Sequence, residues 1–347
     1  MLALQKVRPG SGIELRDLPE ISEIPADEVV IRTEATGICG TDLHIAEWTP
    51  GYESMQSAMP VTLGHEFAGT IVSTGISVDS RFVGTRVTVR PSVVCGKCDA
   101  CRVGDEENCT GRRGIGIGRS GAFAGYVAAP FVNCVVLPDG LDFEIAALTE
   151  PMTVCAEAVD TGEVKENDRV LVLGPGFIGQ GIALFCDAAG ASEVVICGHN
   201  DEARLKTLNE LGFANTVDTA GTTLSEALHP FLRRGKFDVV IEATGAPQVV
   251  PDALACLKKR GILVIAGIHP RPAEIDLTQL VRNHQQVRGS YRAPTDTWHR
   301  VLNYLAANQD RVRGLITHRV DLADVEQGFA LALGKTASKV VVRHPRA

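Results

Sequence analysis

The chain has 347 residues, too many for one ordinary hydrophobic core, so two domains are expected. A composition of 45 % hydrophobic and 22 % charged residues is that of a folded globular protein and excludes a largely disordered one. The net charge of −8, with Lys and Arg scattered along the chain, excludes the basic stripe that a nucleic-acid partner requires.

The opening residues 1–9 contain no apolar core of signal-peptide length. The uncharged apolar run at residues 170–186 is broken by four Gly, a Pro and a Gln, and reads as strand, turn and buried helix instead of a membrane span. A cytoplasmic location without a membrane partner is therefore expected. Ten cysteines in such a chain point to metal ligands or buried thiols, not to a disulfide framework.

Residues 28–32, 68–72, 86–89 and 134–137 are short alternating or β-branched runs punctuated by Gly and Pro, so residues 1–150 are expected to form a barrel-like or sandwich-like β unit. Two Gly-flanked turns of that unit carry chemistry. Gly37-Ile38-Cys39-Gly40-Thr41-Asp42-Leu43-His44 supplies a thiol, a hydroxyl and an imidazole, and Gly64-His65-Glu66 supplies an imidazole and a carboxylate. Thiol, imidazole and carboxylate are the donors of a catalytic zinc site, although a lone Cys or His serves equally well in a core. Further on, Cys95, Cys98, Cys101 and Cys109 are separated by two, two and seven residues. Four thiolates so close in sequence can fill a tetrahedral shell, which is the pattern of a structural zinc; the alternative is a set of free surface thiols. A lobe with so little core of its own would draw folding energy from the metal.

From residue 151 the character changes. An apolar run ending at Leu173 leads into Gly174-Pro175-Gly176-Phe177-Ile178-Gly179, then a helical pattern over residues 180–189 and a second apolar run at 194–196. This is the strand, glycine turn and helix that seats a dinucleotide pyrophosphate on backbone N–H groups. Helices are expected at 203–211 and 249–257, and strands at 237–241 and 262–266; that alternation implies a parallel sheet over residues 151–289. Residues 286–290 read as an edge strand suited to pairing with a second copy. Helices at 295–306 and 322–333 and strands at 315–320 and 339–342 are expected to return to the first domain.

Taken together, Gly37-Ile38-Cys39-Gly40-Thr41-Asp42, Gly64-His65-Glu66, the four-cysteine lobe, Glu150-Pro151 and the glycine turn resemble the zinc-dependent medium-chain dehydrogenase/reductase family over the whole length. The threonine dehydrogenase and sorbitol (polyol) dehydrogenase branch is the nearest. Cys39 through Ile45 with Trp48, Ile115-Gly116-Ile117-Gly118 and Ile316-Thr317-His318-Arg319 resemble threonine dehydrogenases, while Glu150-Pro151 is more similar to the polyol enzymes.

The resemblance implies an α/β protein, with a GroES-like β-barrel catalytic domain (1–150 and 290–347) and a Rossmann doubly wound domain (151–289). It implies two Zn²⁺ per subunit, one catalytic, held by Cys39, His65 and Glu150 with Glu66 ligating directly or through water, and one structural in the lobe. It further implies hydride transfer from a secondary alcohol, a polyol, sugar derivative or hydroxy amino acid, to NAD(P), with Thr41 and His44 as proton relay. Gly174, Gly176, Phe177, Ile178 and Gly179 are the expected pyrophosphate turn, and a homodimer or tetramer is expected.

Two departures stand out. Where NAD enzymes place an acidic residue for the adenosine ribose, this chain has Gly198 followed by His199 and Asn200, which favours NADP over NAD. Glu157 stands where relatives often carry His. The competing readings are a dinucleotide-binding module without turnover and a zinc-free reductase; loss of the ligands or relay residues would favour them, and none is lost.

Overall fold

A computed structural model describes residues 1–344 and divides the chain into two compact units. Among the described residues the first comprises 1–150, 298–334 and 339–344; the second comprises Pro151–Thr297 and Lys335–Ser338. Among the described residues no helix is long and apolar enough to cross a membrane.

The first unit is built on a seven-stranded sheet. Its path runs Cys134–Val136, Arg86–Val89, Glu66–Thr74, Glu28–Gly37, Lys339–Arg343, Ile316–Asp321, and Tyr126–Pro130 pairs with Glu28–Gly37 as well. Val29, Ile31, Phe67, Ile71, Val87, Val89 and Val127 point to one buried cluster, as expected of strands whose alternate residues are apolar. Leu2–Lys6, Glu14–Asp17 and Val61–Thr62 form a smaller antiparallel sheet. Its first strand escapes an alternation test because four of its five residues are buried, Lys6 among them.

Register then fixes what stands beside what. Gly37 pairs with Glu66 on one side and with Val341 on the other, and Ile38 donates its N–H to Val340 O at 3.0 Å. Cys39, His65, Glu66 and Lys339 therefore emerge at one end of three adjacent strands.

The second unit is a six-stranded sheet in the spatial order Thr216–Asp218, Glu193–Gly198, Arg169–Leu173, Phe237–Glu242, Leu257–Ile265, Gln286–Gly289, with every pairing parallel. Taken by chain position this is 3-2-1-4-5-6, the doubly wound order, with its topological switch between the first and fourth strands. Leu171, Val195, Val240, Leu254 and Leu263 belong to the core between sheet and helices. The fifth strand starts earlier than its apolar run because Lys258, Lys259 and Arg260 prolong it as exposed residues; Arg260 has φ +64°, and the register shifts nearby. The helix Thr295–Ala307 begins in the second unit and passes into the first between Thr297 and Trp298.

Candidate active site

Cys39 is the N-cap of the helix Gly40–Glu47, so the segment read as a turn is a helix start. Its N–H donates to Asp42 Oδ2 at 3.0 Å, which satisfies one of the donors a helix start leaves open. The helix macrodipole places partial positive charge beside the thiol. Two residues earlier, at the strand end, Gly37 has a packing reason to be glycine: a Cβ there would lie 2.2 Å from Glu66 Oε2.

The ligand atoms of Cys39, His65 and Glu66 lie within 4.8 Å of one another. His65 and Glu66 are buried, and Asp42 Oδ1 stands 3.6 Å from His65 Nδ1, too far for a hydrogen bond; both atoms are buried without one. Burial alone would depress the His65 pKa, but the Asp42 carboxylate and the Cys39 sulfur overcome it and raise it well above the ordinary value. Burial pushes the Cys39 thiol up, and Glu66 adds to this, with His65 partly offsetting it. Both Glu66 oxygens accept from Lys339 Nζ, at 3.0 and 2.7 Å, and the same ammonium donates to Ile38 O at 3.1 Å. Burial would lower the Lys339 pKa, but Glu66 outweighs it and raises it.

Glu150 opens the helix Thr149–Thr161 and is not one of the three donors within 4.8 Å. Its charge nevertheless couples to His65, Glu66, Lys339 and Asp42, and burial foremost raises its pKa to about 7. A half-buried thiol and a buried imidazole and carboxylate, with a second carboxyl in electrostatic reach and an orphaned imidazole nitrogen facing Asp42, fit a zinc ion. The donor set is the one zinc takes, and a carboxylate behind the imidazole is the usual way its orientation is fixed.

The four lobe sulfurs of Cys95, Cys98, Cys101 and Cys109 also lie within 4.8 Å of one another. Backbone N–H groups of Cys101 and Thr110 hold the Cys98 thiol down at about 5, while burial and neighbouring thiols push Cys101 up to about 12. One thiolate is thus already favoured before any metal arrives. All ten cysteines are free thiols.

In the second unit Gly176 caps the helix Phe177–Ala188. Gly174 (φ +106°) and Gly179 are required by the protein itself: a Cβ on Gly179 would lie 1.8 Å from Gly174 O. Gly176 is different. A Cβ there would meet only the Arg204 guanidinium at an ordinary 3.4 Å, so no protein contact demands glycine, and the helix start is left open to close approach. Phe177 and Ile178 are the first residues of that helix, whose opening N–H groups have no intrahelical partner.

Comparison with known proteins agrees with this geometry. Residues 25–139 match the alcohol dehydrogenase GroES-like domain, and residues 178–307 match the zinc-binding dehydrogenase domain. An L-threonine 3-dehydrogenase of Mesorhizobium japonicum is 34 % identical over 343 residues, 99 % of this chain and 98 % of that one. The chain belongs to the zinc-dependent medium-chain dehydrogenase family. Among solved structures, a protein of Sinorhizobium meliloti 1021 assigned as a zinc-binding dehydrogenase and bound to NADP superposes with a TM-score of 0.84 at 30 % identity, covering 99 % of this chain and 98 % of that one. An alcohol dehydrogenase of Escherichia coli CFT073 complexed with NADH gives 0.86 at 28 % identity, covering 99 % of both. The fold class is accordingly GroES-like plus Rossmann, and the protein is a nicotinamide-dependent zinc dehydrogenase of the alcohol class.

Three residues of this dehydrogenase were not legible as site residues. Lys339 lies 273 positions from the carboxylate it neutralises, and a lysine opening a strand carries no signal of burial. Asp42 reads as a turn carboxylate, and only the helix start at Cys39 shows what it holds. Tyr52, whose phenol burial pushes up, interacts with Thr41 and feels the charges of Cys39 and His65. At Gly198 a Cβ would fall 2.9 Å from both Asp201 Cβ and Pro175 Cγ, so glycine there also relieves local packing. His199 and Asn200 are exposed beside it, with His199 Nδ1 3.2 Å from Thr219 Oγ1. Glu157 belongs to the second unit, within the helix Thr149–Thr161.

Proposed function

We propose that this dehydrogenase oxidises a small, polar secondary alcohol, a polyol or sugar derivative, with NADP ahead of NAD. The observation that carries the substrate class is the convergence of Asp42, Glu66 and Glu150 around Cys39 and His65, with Lys339 balancing one of the three carboxyls. Such a site receives several hydroxyls, or an ammonium group, more readily than an apolar chain. The full-length similarity to L-threonine 3-dehydrogenases favours a second reading, oxidation of the hydroxyl of an L-threonine-like amino acid.

Cys39 and His65, with Glu66 or Glu150 as the carboxylate, would hold the catalytic zinc, which when bound supplies Lewis-acid polarisation of the substrate hydroxyl. Cys95, Cys98, Cys101 and Cys109 would hold the structural one. Asp42 keeps the His65 ring in place and ties down the Cys39 backbone. Lys339 holds the Glu66 carboxylate away from free rotation. Thr41, half-buried and next to Tyr52, takes the substrate proton, and His44, one turn further on the same helix and exposed, delivers it to solvent. Gly174, Gly176, Phe177, Ile178 and Gly179 seat the pyrophosphate. His199 and Asn200 favour a 2′-phosphate; the nearby Arg204 is paired with Asp201 and does not decide the coenzyme, and both dinucleotides occur in similar structures.

The reading also includes a cytoplasmic, homo-oligomeric enzyme. Gln286–Gly289 is the outer strand of its sheet, and Leu277, Val281, Val287 and Tyr291 leave 65, 68, 40 and 70 % of their surface exposed around it. The test is a zinc determination followed by a spectrophotometric screen of sugar alcohols, simple secondary alcohols and L-threonine with both coenzymes. Two zinc per subunit and highest kcat/KM on a polyol with NADP are expected. Highest turnover on L-threonine would select the second reading, and an NAD preference would reverse the coenzyme order.

A further inference from the structure

The largest fully buried side chain among the described residues is a lysine, Lys6, which the chemistry above does not use. It ends the strand Leu2–Lys6, beside Val61 of the neighbouring strand. Among the described residues no carboxylate pairs with it. Its ammonium donates instead to three main-chain carbonyls, those of Gly10, of Gly12 at 3.0 Å and of Ala46 at 3.4 Å, and lies 5.2 Å from the centre of the Trp48 ring. An ammonium withdrawn from water without a counter-ion is costly unless such partners are held around it. Gly10 and Gly12 take φ of +99° and +116°, and nothing would crowd a Cβ at either. Glycine is needed there for a conformation that aims two carbonyls of one loop at the same cation.

The other two partners belong to the end of the helix Gly40–Glu47. Ala46 is in its last turn and Trp48 is its C-cap, with φ +60°. The loop adds a further tie, since the Gly12 N–H donates to Ala46 O at 2.8 Å. At eight residues the helix is too short to persist on its own, so both ends depend on outside support. The first end has it from Asp42, which accepts the Cys39 N–H, and from Ile38, which donates to Val340 O. The last end has it from Lys6 and its loop. Thr41, His44 and Trp48 recur at intervals of three and four residues and so share one helix face.

We propose that Lys6 is a positioning residue of the proton relay, holding the last turn of this helix so that His44 stays one turn from Thr41. This rests on the relay reading above. The Cys39 end is secured separately, so loss of the ammonium releases the His44 turn and leaves the metal donors where they are.

The test compares Lys6→Met, which keeps the length of the stem and removes the charge, with His44→Ala and the unaltered protein, all zinc-loaded. Hydrogen exchange followed by mass spectrometry should show residues 44–49 of Lys6→Met exchanging about tenfold faster or more, with residues 39–42 and the zinc content unchanged. With the better of sorbitol and L-threonine, kcat near pH 7 should fall about tenfold, part of what a positioned proton acceptor contributes. Added MOPS buffer, at constant pH and ionic strength, should restore turnover in Lys6→Met and His44→Ala alike, because an external base replaces a lost relay but not a damaged fold. Trp48→Leu, which removes the ring from the ammonium, should give the same changes in smaller size and carries the test if Lys6→Met does not fold. Unchanged exchange or unchanged kcat overturns the proposal, and so does a loss of zinc or a loss of turnover that buffer does not restore. Full turnover in His44→Ala would overturn the relay reading itself, and the proposal with it.

Discussion

The four lobe thiols come from residues 95–109 and are all half-exposed, whereas Cys39, His65, Glu66 and Lys339 come from three distant stretches of chain, and His65, Glu66 and Lys339 are buried. In the lobe, sequence proximity does the gathering, and a metal would replace the hydrophobic core that so short a segment lacks. In the other cluster the sheet register does the gathering, and one carboxylate, Glu66, is already neutralised by Lys339 without a metal. A metal would thus be a folding element in one place and a guest in the other.

That contrast can be broken by substitution. The largest effect is expected for His65→Ala, which should remove one of two zinc ions per subunit and lower kcat/KM by roughly 10³-fold, since Lewis-acid assistance is worth several kcal/mol, with an unchanged circular dichroism spectrum. A loss of fold along with the metal would erase the distinction. Next, Lys339→Met strands the Glu66 carboxylate in the interior and should cost about 3–5 kcal/mol in urea denaturation. The double variant Lys339→Met/Glu66→Gln should regain part of it, and a double variant no better than the single one would show that the ammonium acts through other partners.

A smaller change is expected of Asp42→Asn: catalytic zinc held about 10- to 100-fold more weakly, measured by competition with a chelator, at unchanged lobe occupancy. Smallest in global stability is Cys101→Ser. It should release the lobe zinc and open residues 92–114 to trypsin, at Lys97, Arg102, Arg112 and Arg113, while the main urea transition moves by less than about 1 kcal/mol. A large shift of that transition would mean that the lobe supports the whole unit.

The same contrast decides what was readable in advance. The lobe, the glycine turn and most strands of the parallel sheet are local patterns, and the structure has them where spacing and periodicity put them. The strand Thr216–Asp218 is too short to show a period, and Leu2–Lys6 is buried on both faces, so neither announces itself. Cys39, His65 and Glu66 were readable as donors because the family motif names them. Lys339 was not, because its role depends on strand register. The crowding of Gly198 by the Pro175 ring and the Asp201 side chain was hidden for a related reason, since it too depends on the fold.

The pairing of Glu66 with a residue 273 positions later bears on biosynthesis. As the chain leaves the ribosome, the donors at 39, 65 and 66 are made early, yet the cation that neutralises the carboxylate is supplied only after the entire dinucleotide unit has been synthesised. Until then the half-built cluster carries an excess of negative charge and an open strand edge beside Gly37. Faithful zinc loading of that cluster should therefore be a late event, whereas the lobe can capture its ion as soon as residue 109 has emerged.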